Sequence, residues 1–568
     1  MNLHSLAAAE AQLGWRSPDL PWGRGPKRKD WQVESSMDEH GFVSARSTVL
    51  ARHGMVATSQ PLAATAGLRV LMDGGNAADA AVTTAAMLNV VEPMSTGIGG
   101  DCFALIYDAG TGTVSALNGS GRSPAAFTWE EAQRLGLLEI PLTGSLPVTV
   151  PGTVSGWEAL LERFGTMSLG ECLGPAITTA EEGFPVSPII AADWRDAEEK
   201  IAAEPEAARV YLPAPQSGDI RRAPDLARSL RALAEGGGEA FYQGPLAAKI
   251  ASFVQEKGGY LTTDDLALHR SDWVEPISTT YREVEVLEHP PNGQGLATLL
   301  ALNVLEAYDL GEMDFFAPTR WHLEIEAVRL AMTDAGRYVA DPEPTHVPVS
   351  ALLAKEYADR RRAVIEPDTA LALAGPGLLG QQDTVYLTVV DGQGNAVSFI
   401  NSLYHSFGSG LVVPDTGICL QNRGCCFTLE EGHPNALDGG KRPYHTIIPA
   451  MALREGRLWL SFGVMGGFMQ PQGHVQVLCN MIDCGMDPQM ALDAPRFRVD
   501  ERGGPEVSLE QGVPIETCRA LEGMGHNLSI GPALGSGFGG GQIIAIQGET
   551  GVLQGGSDPR KDGCAVGF

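Results

Sequence analysis

The sequence lacks several features that would place it in a common functional class. Its 568 residues include 40 Lys and Arg against 69 Asp and Glu, for a formal net charge of −29. This balance argues against nucleic-acid and anionic-membrane partners, which are bound by clustered cations. No CxxC or HExxH pattern occurs. We therefore predict no structural metal, no catalytic metal and no cofactor.

Long apolar runs are also missing. The most apolar segment, 77–91, is interrupted by Asp79 and Asn89, which predicts a buried helix and not a membrane span. Near the N-terminus, Glu10 breaks the one apolar run and no basic stretch precedes it, so we expect no signal peptide. The nine cysteines are odd in number and have no paired spacing, which is typical of reduced thiols. These features together predict a cytoplasmic protein.

Glycine, in contrast, is abundant. The 69 glycines lie mostly in turn-like contexts and favour a sheet-rich core with tight loops. One such turn, 391–395, joins two strand patterns, 384–390 and 396–400, and together they predict a hairpin. On this pattern alone, Thr384 is simply a β-branched residue that opens a strand.

Longer motifs carry more information than the pattern. The hairpin sequence DTVYLTVVDGQGNAVSF (383–399) is similar to the start of the small subunit of γ-glutamyltransferase-type N-terminal-nucleophile hydrolases. The run GGNAADAAVTTAAMLNVVEPMSTGIGGDCFALIYD (74–108) resembles the large-subunit hallmark of that family. VTVPGTVSGW, PPNGQG and HLEIEAVRLAMTDAGRYVADP follow in family order, and the last of these predicts an amphipathic helix. The resemblance covers the chain from about residue 50 to its end.

The resemblance implies a self-processing mechanism. An inactive precursor would cut itself between Asp383 and Thr384. Thr384 would then be the nucleophile, and its freed α-amine, with a pKa near ~8, would be the general base. Gly466 and Gly467 would supply two backbone N–H groups to the oxygen of the tetrahedral intermediate. The hydroxyl of Ser402 would hold the α-amine in place.

The implied fold is α+β, a four-layer αββα sandwich in which the large and small subunits of one precursor share a single core. We expect a polar N-terminal extension over residues 1–45, a large subunit over 46–383 and a small subunit over 384–568. The helical segment 169–270 is assigned no chemistry. The Gly- and Pro-rich segment 374–383 has the composition of a self-cutting linker. The processed subunits would form a heterodimer, and pairing of two heterodimers stays open.

Several positions depart from the γ-glutamyl-specific members of the family. Ser120 stands where those enzymes have the arginine that holds the substrate α-carboxylate, and Arg122 comes two residues later. Cys425 replaces the aspartate that holds the α-amine, and His445 and Thr446 replace a Ser-Ser pair. Without both charged contacts, recognition of a glutamyl group is lost.

We therefore predict an amidohydrolase that cleaves an amide of a small carboxylate-bearing substrate, as in the oxamate amidohydrolase-like branch of the family. The reaction would pass through an acyl-Thr384 intermediate, with water as the acyl acceptor. A guanidinium group fits a carboxylate bidentately, so the candidates to hold it are Arg423, Arg442 and Arg122, each of which could equally form a structural ion pair. Further candidate substrate contacts are Tyr404, His445 and Thr446.

Three alternatives stay open. The first is a γ-glutamyltransferase or glutathione hydrolase with unusual substrate contacts. The second is a cephalosporin-type acylase that removes a β-lactam side chain. The third is a catalytically silent relative that serves as a binding protein.

Overall fold

The computed structural model describes residues 40–44, 46–372, 382–499, 504, 506–548 and 550–568. Contacts divide the chain into two units, Met1–Gly41 and Phe42–Phe568, and the helices and strands of the described residues belong to the second. Most of the predicted N-terminal extension and most of the predicted linker 374–383 lie outside the described residues. The subunit boundaries therefore stay predictions.

The secondary structure alternates between helices and strands along the chain. The strands are β1 (Val49–Ala51), β2 (Met55–Thr58), β3 (Asp101–Asp108), β4 (Thr113–Gly119), β5 (Phe184–Pro185), β6 (Ile220–Arg221), β7 (Asp272–Val274), β8 (Ile277–Tyr281), β9 (Val284–Glu288), β10 (Gln382–Val390), β11 (Ala396–His405), β12 (Val412–Val413), β13 (Ile418–Cys419), β14 (Ala450–Arg454), β15 (Arg457–Met465), β16 (Phe497–Val499), β17 (Glu506–Glu510), β18 (Asn527–Gly531), β19 (Gly540–Ile546), β20 (Leu553–Ser557) and β21 (Cys564–Gly567). The helices are α1 (Pro61–Met72), α2 (Ala77–Val91), α3 (Trp129–Arg134), α4 (Thr153–Phe164), α5 (Leu169–Glu182), α6 (Pro188–Asp196), α7 (Glu198–Ala202), α8 (Pro205–Tyr211), α9 (Pro224–Tyr242), α10 (Pro245–Glu256), α11 (Thr263–Leu268), α12 (Gly295–Leu305), α13 (Pro318–Tyr338), α14 (Val349–Leu352), α15 (Lys355–Arg362), α16 (Met469–Ile482), α17 (Pro488–Asp493) and α18 (Ile515–Gly523).

Two seven-stranded antiparallel sheets form the centre of the molecule. One has the order β21-β2-β10-β11-β3-β4-β7 and the other β1-β20-β19-β15-β14-β9-β8. Strand β10 of the first sheet contacts β15 and β19 of the second, so the sheets stack face to face. Helix α2 covers β10 and β11 on one outer face, and helices α12 and α16 cover the second sheet on the other. The predicted four-layer αββα sandwich is confirmed.

The two predicted subunits share this core. The predicted cut falls near the start of β10, and β10 and β11 lie between β2 and β3, which precede the cut. The C-terminal strand β21 closes the same sheet on the other side of β2. Residues from both sides of the predicted cut therefore build one hydrogen-bonded sheet.

The alternating pattern of β10 separates two buried faces. Val385, Leu387 and Val389 belong to the hydrophobic cluster that includes helix α2. On the opposite face, the Thr388 hydroxyl donates to Ser461 on the second sheet at 2.6 Å. The polar positions of the strand thus face the other sheet and not solvent, because both faces are covered.

One prediction about a helix is wrong. The segment 322–342 was expected to form an amphipathic helix, but α13 is buried on nearly every side. Its charged side chains are buried because they pair along the helix. Arg320 lies 2.9 Å from Glu324 and Arg329 lies 2.6 Å from Glu326.

Within the described ranges, no helix combines the length and the apolarity that a bilayer crossing requires.

Candidate active site

Thr384 lies at an irregularity in the pairing of β10 with β11. The register shifts between Asp383 and Val385, so that Ser402 and Leu403 together lie opposite Thr384. Thr384 and Ser402 are both fully buried. Their hydroxyl oxygens are 3.0 Å apart, within hydrogen-bond distance. The structure thus brings together the candidate nucleophile and the residue expected to hold its amine.

Ser402 is itself held by the backbone of its own strand. The Tyr404 N–H donates to Ser402 Oγ at 2.8 Å. Tyr404 has a φ of 81°, which is unfavourable for a non-glycine residue and is found where the surrounding structure imposes it. A hydroxyl can accept and donate at the same time. Ser402 Oγ therefore has a fixed position from which it can also form a hydrogen bond with Thr384.

Gly466 and Gly467 form the turn between β15 and α16. Their φ values are 125° and 57°, conformations that glycine adopts without the steric cost of a Cβ. A Cβ on Gly466 would lie 3.1 Å from Gly539 Cα. The preceding residue, Met465, packs in one cluster with Tyr386 of β10, which places the turn beside the nucleophile strand.

The carbonyl groups of the two glycines are engaged. The Met469 N–H donates to Gly466 O at 3.0 Å, and Gln294 Nε2 donates to Gly467 O at 2.8 Å. The turn lies at the N-terminus of a 14-residue helix, where the helix dipole favours negative charge. Successive N–H groups at such a position can stabilise an oxyanion.

Arg423 is a fully buried cation beside strand β11. Its Nη1 donates to Thr446 Oγ1 at 2.8 Å, and its guanidinium lies over the Tyr404 ring, 4.0 Å from the centroid. Nε and Nη2 have no hydrogen-bond partner among the described residues. Thr446 and Tyr404, which are also predicted substrate contacts, therefore hold the guanidinium of Arg423 in place.

Arg122 and Arg442 lie in a different environment. Arg122 is 3.0 Å from Glu343, 3.5 Å from Asp341 and 3.9 Å from Asp272. Arg442 is 2.6 Å from Asp272. Both guanidinium groups already have carboxylate partners, as expected if these two arginines form structural ion pairs and do not bind substrate. Of the three candidates, Arg423 is the one without a carboxylate at ion-pair distance in the described part of the chain.

His445 supports a buried carboxylate. Its Nδ1 accepts from the Ile447 N–H at 3.4 Å, so Nε2 carries the proton and donates to Asp101 Oδ2 at 3.1 Å. Burial, and then the charge of Arg423, lowers the pKa of His445 well below its usual range. His445 is therefore neutral.

Asp101 is surrounded by donors. Its Oδ1 accepts from the N–H groups of Gly121 and Gly152 and from Gln421 Nε2, each at 3.0 Å. Burial raises the pKa of Asp101 to about 7, against the lowering effects of the Arg423 charge and these hydrogen bonds. Sequence reasoning missed Asp101 and Gln421. The one available signal was an acidic residue at the start of an apolar strand directly after a glycine run.

Two adjacent thiols follow Arg423 in a short 3-10 helix, Arg423–Cys426. Cys425 and Cys426 are both partly buried and unpaired, and Cys426 Sγ lies 3.9 Å from Arg423 Nη1. Burial alone would raise the pKa of Cys426, but the hydrogen bond from Cys425 and the charge of Arg423 lower this pKa to about 6. Cys425 stands at the position where the sequence analysis expects the family's amine-binding aspartate.

One group of potential metal ligands occurs in the described residues, namely His322, Glu326 and His526. The two rings are hydrogen-bonded to each other at 2.8 Å, and Glu326 forms an ion pair with Arg329 at 2.6 Å. His322 and Glu326 lie on α13 and His526 directly precedes β18, whereas Thr384 lies on β10. The expectation of a metal-free reaction stays a prediction.

Residues 63–568 match the sequence profile of the gamma-glutamyltranspeptidase family. The chain belongs to this family. It is 39% identical over 533 residues to the glutathione hydrolase-like YwrD proenzyme of Bacillus subtilis, with 92% of this chain and 99% of the relative covered. It is 34% identical over 535 residues to the oxamate amidohydrolase proenzyme of Klebsiella pneumoniae, with 92% and 100% covered. The crystal structure of a cephalosporin acylase from Bacillus halodurans superposes with a TM-score of 0.88 at 45% identity, covering 94% of this chain and 98% of the acylase.

Membership of the gamma-glutamyltranspeptidase family establishes the general activity. The chain is a hydrolase that acts on amide bonds and has the N-terminal-nucleophile hydrolase fold. Members of the family are made as proenzymes and are processed into two subunits that form a heterodimer. The relatives named above differ in substrate, so the family alone does not identify what this member hydrolyses.

Proposed function

We propose that the processed protein hydrolyses the amide bond of a small substrate whose acyl group carries a carboxylate, as oxamate does. The observation that carries this proposal is the buried guanidinium of Arg423, with Nε and Nη2 unpartnered among the described residues. Leaving two N–H-bearing nitrogens of a buried cation without hydrogen-bond partners is costly. A substrate carboxylate would supply two charge-assisted hydrogen bonds to these atoms.

The surroundings of Arg423 favour an acyl group without an α-amine. The family position that holds the amine carries Cys425, a thiol whose pKa is raised by burial and which is therefore uncharged. The nearby carboxylate of Asp101 already accepts hydrogen bonds on both of its oxygens. An ammonium group beside Arg423 would thus meet a cation, and the Cys426 thiol, whose pKa is lowered to about 6, already lies 3.9 Å from that guanidinium. This argues for oxamate or a similar monoamide over a γ-glutamyl compound.

The proposed reaction uses only groups of this chain. The freed α-amine of Thr384 accepts the proton of its own hydroxyl, and Oγ1 attacks the amide carbonyl. The N–H groups of Gly466 and Gly467 stabilise the oxyanion. The C–N bond then breaks, the amine leaves with the proton, and water hydrolyses the acyl ester. Ser402 keeps the α-amine oriented through both halves of the reaction.

A cephalosporin-type acylase is the second candidate. It is favoured by the 45% identity to the cephalosporin acylase, which exceeds the 34% to the oxamate amidohydrolase. The two candidates differ in the size of the leaving amine, which is ammonia for oxamate and a β-lactam nucleus for a cephalosporin. Comparing hydrolysis of a cephalosporin with that of a series of monoamides therefore separates them.

The test measures hydrolysis of oxamate, malonamate, succinamate and glutaramate, with γ-glutamyl-p-nitroanilide and glutathione as comparisons. We expect Arg423→Met to raise KM for the best of these monoamides by about 10²-fold, as loss of a charge-assisted hydrogen bond does. Arg423→Lys, which keeps the charge without the fork, should restore part of the affinity. The matched neutral diamide should bind weakly to every variant. Efficient γ-glutamyl turnover with transfer to a dipeptide would contradict the proposal.

We also propose that the enzyme acts in the cytoplasm. All nine cysteines are unpaired in the structure, as is typical of proteins from reducing compartments. Titration of free thiols in protein isolated under native conditions tests this, and a native disulfide would count against it.

A further inference from the structure

Two adjacent thiols, Cys425 and Cys426, lie beside the guanidinium that is proposed to hold the acyl carboxylate. Both cysteines are partly accessible to solvent, whereas Arg423 is fully buried. Cys426 Sγ lies 3.9 Å from Arg423 Nη1. Arg423 Nε and Nη2 have no hydrogen-bond partner among the described residues. The proposed hydrolysis uses neither sulfur atom, so the site contains thiol chemistry that the reaction leaves unused.

The environment of Cys426 differs from that of the other eight cysteines. Burial raises the pKa of each of those eight thiols. For Cys426, burial alone would also raise the pKa, but the Cys425 thiol, the Arg423 charge and the Tyr404 hydroxyl lower it to about 6. Cys426 is therefore a thiolate at neutral pH, and the thiolate is the reactive form of cysteine.

The contacts around Arg423 explain why a negative sulfur is stable there. The guanidinium lies over the Tyr404 ring, 4.0 Å from its centroid, and Nη1 donates to Thr446 Oγ1 at 2.8 Å. Asn435 Nδ2 donates to the carbonyl oxygen of Cys426 at 2.7 Å, which holds the main chain of the thiol-bearing residue. The thiolate thus lies against a fixed cation that has no carboxylate at ion-pair distance in the described ranges.

Cys484 is the matched comparison. It is also partly buried, and its Sγ accepts from Arg320 Nη1 at 2.6 Å. Arg320, however, forms an ion pair with Glu324 at 2.9 Å. Burial raises the pKa of Cys484, and the charge of Glu324 opposes the lowering effect of Arg320. Contact with an arginine is therefore not sufficient, and the arginine must also lack a carboxylate partner.

We propose that Cys426 is a site of reversible oxidation by hydroperoxides, and that its oxidation weakens the binding of the acyl carboxylate at Arg423. The thiolate sulfur attacks one oxygen of the peroxide, the O–O bond breaks, and hydroxide or an alkoxide leaves. The sulfur is thereby oxidised to a sulfenic acid as the peroxide is reduced. Two molecules of a small thiol reverse the step, because they become a disulfide and the sulfenic oxygen leaves as water.

This control rests on the proposed function, since it acts through Arg423. The oxygen added to Cys426 can accept a hydrogen bond from the guanidinium and so competes with the substrate carboxylate. Thr384 and the backbone donors of the oxyanion turn contain no sulfur, so the attack on the amide is not changed. The oxidised enzyme should therefore have a higher KM and a nearly unchanged kcat.

Cys425 is not expected to form a disulfide with its oxidised neighbour. Adjacent Cα atoms are about 3.8 Å apart, which is below the ordinary minimum of about 4.4 Å between the Cα atoms of a disulfide. The sulfenic acid of Cys426 is therefore the product that an experiment should detect.

The first test detects the modification without catalysis. Processed native enzyme is treated with hydrogen peroxide in the presence of dimedone, which traps sulfenic acids as a stable adduct, and the adducts are located by peptide mass spectrometry. We expect dimedone on Cys426 at about tenfold the level on Cys484, or more. Arg423→Met removes the stabilising charge and should slow labelling of Cys426 by about tenfold, without an effect on Cys484.

The second test measures hydrolysis. Hydrogen peroxide should raise KM for the best monoamide of the series by about tenfold with little change in kcat, and dithiothreitol should restore the original KM. Methionine oxidation is reversed by dedicated reductases, so this restoration separates the two lesions. Cys426→Ser, compared with its own untreated rate, should be insensitive to peroxide. Cys484→Ser should stay as sensitive as the native enzyme.

Three results would overturn the inference: no dimedone on Cys426, equal labelling of Cys426 and Cys484, or equal peroxide sensitivity of the native enzyme and Cys426→Ser. The labelling of native enzyme needs no substitution, so a variant that does not fold leaves the first test decisive. Failure of the acyl proposal would be visible separately, as insensitivity of KM to Arg423→Met in enzyme that has not met peroxide.

Discussion

The hydroxyls of Thr384 and Ser402 share a 3.0 Å contact, yet the two residues have different parts in the proposed reaction. Ser402→Ala removes the group that orients the α-amine and should lower kcat by about 10²-fold. Ser402→Thr keeps the hydroxyl and should retain most of the activity. Steady-state rates of processed protein test this, with a gel to confirm processing. Equal rates for Ser402→Ala and the native enzyme would exclude the assigned role.

Asp101 should give the enzyme a distinct pH dependence of stability. Its pKa rises from 3.8 to about 7 on folding, through burial. Between these values the folded protein keeps a proton that the unfolded chain releases, so this residue's contribution to stability is present below about pH 4 and is lost as the pH rises to about 7. Asp101→Asn cannot titrate.

The measurement is the urea-unfolding midpoint of both proteins across this pH window and above it. The native protein should lose stability relative to Asp101→Asn as the pH rises, and the difference should become constant above about pH 7. A constant difference throughout the window would show that the carboxyl is not perturbed by burial.

At the residue scale, the sequence identified the reacting groups better than the environment of the residues around them. Thr384, Ser402 and the two glycines lie in recognisable motifs, and the structure places them on adjoining elements. The distinction between Arg423 and Arg442 was not accessible from sequence. It depends on which carboxylates the fold brings near each guanidinium, and Asp272 reaches Arg442 from 170 positions away.

Among the elements, the turn from β15 into α16 makes the sharpest prediction. Gly466→Ala should reduce kcat on the order of 10²-fold or more, because a Cβ at φ 125° displaces the oxyanion donors. Gly467→Ala is the matched comparison, since a φ of 57° is accessible to alanine at about 1 kcal/mol. Rates and thermal midpoints of both variants provide the test. Full activity of Gly466→Ala would show that this turn does not supply the oxyanion donors.

Elements with strong local signals were predicted closely. The apolar segment 77–91 predicted the buried helix α2, and the hairpin of β10 and β11 followed from its turn. Helix α13 was predicted with the wrong environment because its charges are neutralised by partners one turn away on the same helix. Such pairing allows burial of Arg and Glu, which a hydrophobic pattern counts as exposed.

For the molecule as a whole, the shared sheets predict that processing does not separate the subunits. Strand β2 pairs with β10 and β21, and β11 pairs with β3, so hydrogen bonds and a common core join the two parts after a cut. Processed protein should elute from size-exclusion chromatography as one species and resolve into two fragments only on a denaturing gel. Elution of separate fragments under native conditions would contradict the shared core.

The central claim is that Thr384 becomes the N-terminus of a mature subunit. The most direct measurement is N-terminal sequencing, with intact mass, of active protein and of Thr384→Ala. We predict that the active protein contains a fragment that begins at Thr384, and that Thr384→Ala stays a single inactive chain. Active protein without a chain that begins at Thr384 would contradict the mechanism.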